Sequence, residues 1–297
     1  MSGYWAGILG ILCINIIFAY SVFIPAAAGQ LNLGGAGFMA IGAYSAAYLN
    51  TVLEMPMWIT IPGAAAVTAA ISFLIAFPIL RTRGVYMVLA TFAFAEIVAG
   101  VIINLEVVGG ASGFEVVSFA DLGLLTIFAV GATAFVFYML ATRFGLSMRS
   151  VHDDENVAAL FGVNVRMTQV MTFTLGGVMA GLAGALYAHQ YNYIEIQYFN
   201  ILISIFVLLY VLIGGTQTAF GPVFGAILFT FLPELLRMPD LQGIEGWKFL
   251  ADWRWVIFGA FLVAVMVFRP EGLITRAMID RLRHGKAGGE DPVGEAR

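Results

Sequence analysis

Long apolar runs, each about as long as a bilayer crossing, alternate with short polar breaks along this chain. They fall near 5–24, 33–50, 58–80, 85–105, 123–142, 168–189, 199–213, 221–236 and 253–268. About 20 apolar residues in helical form cross a hydrocarbon core of roughly 30 Å. Inside lipid every backbone polar group needs an internal partner, so runs of continuous rather than alternating polarity read as helices and not as strands of an outer-membrane-type barrel. The expectation is an all-α integral membrane protein, a polytopic bundle of 8–10 transmembrane helices. The segment GQLNLGGAG at 29–37 is too rich in glycine for a continuous helix, which leaves the number of crossings and the side of the N-terminus open. Residues 5–24 lack a basic leader and a small-residue cleavage site, so they read as a retained helix.

Composition agrees. Of 297 residues, 61% are hydrophobic and only 11% charged, against roughly 25% charged in a soluble domain. The placement of charge matters more than the net −4. Threading the runs puts every one of the 14 basic residues except Arg237, Lys248 and Arg254 on one side. The positive-inside rule makes that side cytoplasmic, and the C-terminus with it. The opposite side carries Glu54, Glu106, Glu115, Asp121, Glu195, Asp240, Glu245 and Asp252, with Trp247, Trp253 and Trp255 near its last loop. Solvation with an aromatic belt, or a docking surface, would each account for that face. Residues 1–275 are expected to form one transmembrane domain, and 276–297 a short cytoplasmic tail.

One stretch breaks the apolar pattern at length: RFGLSMRSVHDDENVAALFGVNVR, residues 143–166, on the basic side. Asp153 is placed to cap a short helix over 154–161, with Asp154 and Glu155 in the favourable field of its N-terminus and Gly162 at its left-handed end. Val157, Ala158, Leu160 and Phe161 give this helix apolar residues, and Arg149 precedes it. A capped helix between two membrane spans is a handle for a partner outside the bilayer. The plainer reading is a connecting loop.

Two glycine-rich segments, GQLNLGGAGFMAIGAY at 29–44 and IGGTQTAFGPVFGAIL at 213–228, lie in opposite halves of the chain. Gly34 and Gly35 in one, and Gly214 and Gly215 in the other, fit interrupted helices related by an internal repeat around a transport path. Tight helix packing is the alternative. Along 168–189, Thr168, Thr172, Gly176, Ala180 and Gly184 share one helix face, and Gly177 and Gly181 form a GxxxG pair, as packing faces do. Glu96 is read as the acidic residue deep in a span, with Gly100 and Asn104 following at four-residue steps. A carboxylate there costs a few kcal/mol and must face protein or water. A path residue and a packing residue both fit.

The sequence lacks a GxxxxGK[ST] phosphate loop, an HExxH motif and a metal-ligand cluster of Cys and His. Cys13 is a lone apolar packing residue, and His152, His189 and His284 read as interfacial or solvated. No catalytic residue, metal or cofactor is expected, and no nucleic-acid partner.

The ordered series LNLGGAGFMAIGAY, RGVYMVLATFAFAEI, FGLSMRSVHDDENVAALFGVNV, GGVMAGLAGALYA, IGGTQTAFGPVFGAIL and RPEGLI resembles the LivM-type permease of branched-chain amino-acid ABC importers over roughly residues 7–274. The resemblance implies a bacterial inner-membrane subunit working with a second, LivH-like permease, two cytoplasmic ATPase subunits and a periplasmic solute-binding protein. It implies that 153–162 is the segment that couples to the ATPase, and it leaves branched-chain amino acids, urea, short amides and aromatic acids open as solutes. A self-contained, ion-coupled secondary transporter is the rival reading. It would need more mid-membrane ionisable residues than Glu96.

Overall fold

The computed structural model describes residues 2–241, 253–269 and 272–273. Expectations for Trp247, Lys248, Glu245, Asp252 and the tail 276–297 lie outside them. The chain forms helices α1 (Ser2–Ala26), α2 (Gly35–Thr51), α3 (Met57–Ile79), α4 (Val85–Ile103), α5 (Leu122–Ala141), α6 (Arg143–Asp153), α7 (Glu155–Leu160), α8 (Val165–Tyr191), α9 (Ile201–Gly214), α10 (Phe220–Leu241) and α11 (Arg254–Phe268). Among the described residues, seven helical stretches are long and apolar enough to cross a membrane, α9 being counted together with the turn 196–200 that precedes it. The shorter apolar helices α2, of 17 residues, and α11, of 15, complete the bundle. The helices turn where the sequence supplies a cap or a break. Pro56 opens α3, the Asp121 carboxylate accepts from Gly123 N at the start of α5, and Asn164 and Asn200 cap α8 and α9.

The bundle is organised around α8, which packs on α1, α2 and α3. Its small residues make this possible. A side chain at Gly42 of α2 would overlap the Gly181 backbone, and one at Gly184 would overlap the Met39 carbonyl. Gly176 meets Ser21 and Pro25 of α1, while Gly177 and Gly181 meet Ser72 and Thr68 of α3. The glycines of α8 thus bring α1 and α2 to backbone contact and seat the small side chains of α3 against the helix, the approach that small-residue faces allow in lipid.

Between α1 and α2, residues 27–34 run back into the bundle without helical structure. Several of their polar groups are met internally, whereas the Gln30 Oε1 is buried without a partner. Leu33 N donates to Thr91 Oγ1 of α4 (3.1 Å), and the first turn of α2 donates from Ala36 N to Ser204 Oγ of α9 (2.8 Å). Irregular backbone at membrane depth is tolerated where protein surrounds it in this way. The second glycine-rich segment also separates two helices, but α9 and α10 fold back directly on each other there, with Gly214 against Gly221 and Gly225 against Tyr210. By contrast, α1 and α2 scarcely touch.

At the acidic end, a two-residue strand pair, Phe114↔Ile194 and Glu115↔Tyr193, joins the α4–α5 loop to the segment after α8. His189 is fully buried there, contrary to its expected interfacial position. Its Nε2 is 2.9 Å from Thr60 Oγ1 and its Nδ1 2.9 Å from Ser118 Oγ. Asn192, in the left-handed region at φ 57°, donates to the carbonyls of Val116 and Ser118. This polar knot closes the end of the bundle opposite α6 and α7.

Candidate functional site: the α6–α7 elbow and the glycine-rich segments

The polar insert folds as two helices rather than one. Arg143–Asp153 is itself helical, and Asp153 is its last residue. The cap of the second helix is therefore Asp154 and not Asp153. Its extended backbone (φ −158°, ψ 114°) lets the carboxylate Oδ1 accept from Asn156 N (2.8 Å) and Val157 N (3.1 Å). Ala158 is buried against the bundle. Leu160 and Phe161 point away from it and are 87% and 83% exposed. Gly162 turns the chain at φ 81°, a conformation glycine adopts without steric cost, and Val163 N returns to the Ala158 carbonyl (3.1 Å). A six-residue helix is thus pinned at both ends with two large apolar side chains at its tip.

Glu155 ties this elbow to the bundle. It lies 3.4 Å from Arg83 Nη2 after α3, and its Oε1 accepts from Gln169 Nε2 of α8 (2.7 Å). The exposed ion pair contributes little by itself. The hydrogen bond matters for connectivity, because the Gln169 backbone carbonyl accepts from Gln30 Nε2 in the non-helical segment 27–34 (3.0 Å). The α6 helix makes a second connection. Arg149, His152 and Asp153 line a 220 Å³ polar cavity together with Thr216 and Gln217 of the loop between α9 and α10. Gly29 also sits against His152. That loop is held to α1 by the Tyr20 hydroxyl, which donates to the Ala219 carbonyl (3.1 Å). Both glycine-rich segments therefore abut the elbow, a juxtaposition invisible in sequence because the contacts span more than 60 residues.

The other candidate residues separate. Gly34 is buried beside Thr91 and Phe94 of α4, and Gly35 beside Phe18. Gly214 packs on Gly221, and Gly215 on the backbone of Gly272. Glu96, Gly100 and Asn104 lie on the opposite, outward face of α4 and are exposed. Glu96 is therefore not packed inside this chain's own bundle. Asn104 Nδ2 turns back to the Gly100 carbonyl (2.7 Å), and among the described residues nothing lies within 4 Å of a side chain at position 100. Glu234 was overlooked, although it too falls within an apolar run; it lies on α10 in a cleft beside α1. Among the described residues no cluster of His, Cys, Asp and Glu could hold a metal.

A helical bundle of this kind, with a capped polar elbow between its halves, matches the family model described as "Branched-chain amino acid transport system / permease component" over residues 4–266. The chain belongs to this family. It is a permease subunit of an ATP-binding-cassette importer, a multi-pass membrane protein. Among similar proteins is the high-affinity branched-chain amino acid transport system permease protein LivM of Escherichia coli, 29% identical over 300 residues, covering 88% of this chain and 68% of that one. A probable branched-chain amino acid transport permease protein LivM of Methanocaldococcus jannaschii is 25% identical over 58% of this chain and 54% of its own. The autoinducer 2 import system permease protein LsrC of Yersinia pestis is 32% identical over 57% of this chain and 46% of its own. No solved structure matches the chain.

Proposed function

We propose that this permease forms one half of a translocation path for branched-chain amino acids or a related small solute, and that the α6–α7 elbow receives the work of ATP hydrolysis from separate cytoplasmic ATPase subunits. The observation that carries the proposal is the exposure of Leu160 and Phe161 on a helix held rigid by Asp154 and Gly162. Two adjacent large apolar side chains on a charged loop suit insertion into a groove of a partner. The elbow shares its face of the bundle with Arg83, which pairs with Glu155, and with Arg81, Arg143 and Arg166 nearby in sequence; the positive-inside rule supports a cytoplasmic side for that face and for the end of α11. A tilt of α7 would pull on Gln169 and Gln30 through Glu155, while α6 would press on the α9–α10 loop. Both interruptions in the helical scaffold would shift together. The outward face of α4, with Glu96, Gly100 and Asn104, would meet a second, LivH-like permease, and a periplasmic solute-binding protein would dock on the acidic end. Two ATPase subunits would complete the importer.

Leu160→Asp and Phe161→Asp test this reading. Each is expected to abolish co-purification of the ATPase subunits and ATP-driven uptake, with membrane insertion and helix content unchanged. Continued ATPase binding and uptake by both variants would rule out the elbow as the coupling element.

A further inference from the structure

A second cleft lies between α1, α9, α10 and α11, with a volume of about 270 Å³. Its walls include Tyr210, Phe229, Phe258 and Trp255, whose rings pack in that order at centroid distances of 4.4, 4.9 and 6.3 Å. Into this apolar space α10 brings Glu234, whose Oε1 is withdrawn from solvent and has no hydrogen-bond partner. Glu234 forms no ion pair among the described residues. Arg237, one turn on, is exposed, and the Arg254 guanidinium lies 5.6 Å from the Trp255 ring centre.

Beside the hydroxyls of Tyr210 and Thr230, the cleft offers oxygen acceptors near Glu234. Asn15 commits its Nδ2 to Thr230 Oγ1 (3.1 Å), which leaves its side-chain carbonyl as an acceptor. Pro233 has no amide hydrogen to give to the Phe229 carbonyl, so that carbonyl is also freed on the cleft-lining helix. With the Glu234 carboxylate, these make acceptors for a group carrying several N–H donors and a positive charge. Aromatic faces attract the same charge, and the remaining wall suits an aliphatic body. Among the described residues no cationic side chain lines this cleft.

We propose that the cleft is a binding site for a primary ammonium group on a small aliphatic body, with Glu234 as the counter-charge. Its role in transport rests on the permease reading; its chemistry does not. The test uses the full chain in lipid nanodiscs, with 3-methylbutylamine as probe and 4-methylpentanoate as its anionic counterpart, followed by saturation-transfer NMR against empty nanodiscs. The amine is expected to bind and the carboxylate not. Glu234→Gln should weaken amine binding at least tenfold, with Glu234→Asp retaining most of it. Asn15→Leu, on a different helix, should weaken it as well, which keeps the test decisive if Glu234→Gln fails to fold. Equal binding by wild type and Glu234→Gln, equal binding of the anion, or no signal above empty nanodiscs would overturn the site. Leu160→Asp is expected to bind the amine normally, so loss of the coupling reading and loss of this site are told apart.

Discussion

At the scale of single residues, the elbow depends on one carboxylate. Asp154 satisfies two backbone amides that a helix as short as α7 cannot satisfy from within. Removing such a cap costs about 1 kcal/mol. That is large for six residues, because short helices are marginal without tertiary support. Asp154→Ala is therefore expected to raise amide hydrogen exchange at Asn156 and Val157 roughly fivefold, by the usual conversion of 1 kcal/mol, and to lower ATP-driven uptake without abolishing it. Asp153→Ala should leave exchange at those amides unchanged, since Asp153 ends α6. The sequence DDEN offers two adjacent acids as caps, and nothing in it distinguishes them. The choice falls to Asp154 because Asp153 is taken up as the last residue of α6.

At the scale of elements, the helices were legible and their interruptions partly so. Continuous apolar runs placed each span within a few residues, since lipid leaves the backbone no other conformation. The glycine-rich break after α1 was also visible. What could not be read was which helix is central. The small-residue stripe on α8 fitted packing within the chain or across a subunit boundary, and only the contacts to Ser21, Thr68 and Met39 decide for the former. Glu234 shows the same limit, because a carboxylate near the end of a run looks like a boundary until α1 and α11 are seen to enclose it. The packing makes a graded prediction. Gly184→Ala and Gly42→Ala place a methyl group into backbone that cannot move aside, and each should destabilise the chain by about 1–3 kcal/mol, the range for overpacking. Gly100→Ala and Gly131→Ala meet nothing within 4 Å and should be neutral or slightly stabilising through helix propensity. Thermal unfolding in one detergent, measured on all four variants, checks the order.

For the whole molecule, the outward surface of α4 is incompatible with an isolated chain in a bilayer. A carboxylate facing lipid costs a few kcal/mol, and Glu96 is exposed well inside a 19-residue span. Beside it, α3 and α4 stand apart and leave an apolar cleft of about 510 Å³ lined by residues such as Ile71, Ile97 and Val101. The bundle is complete around α8 but unfinished here, as half of a two-permease path would be. Gly100 lies at the middle of this surface with free space over it, so a photo-crosslinking benzophenone side chain at position 100 samples whatever covers the face. In membranes that contain the second permease, ultraviolet irradiation should give a covalent adduct with the mass of both permeases. In membranes containing this chain alone, the same residue should capture lipid. A lipid adduct in both cases would remove the α4 face from the subunit boundary.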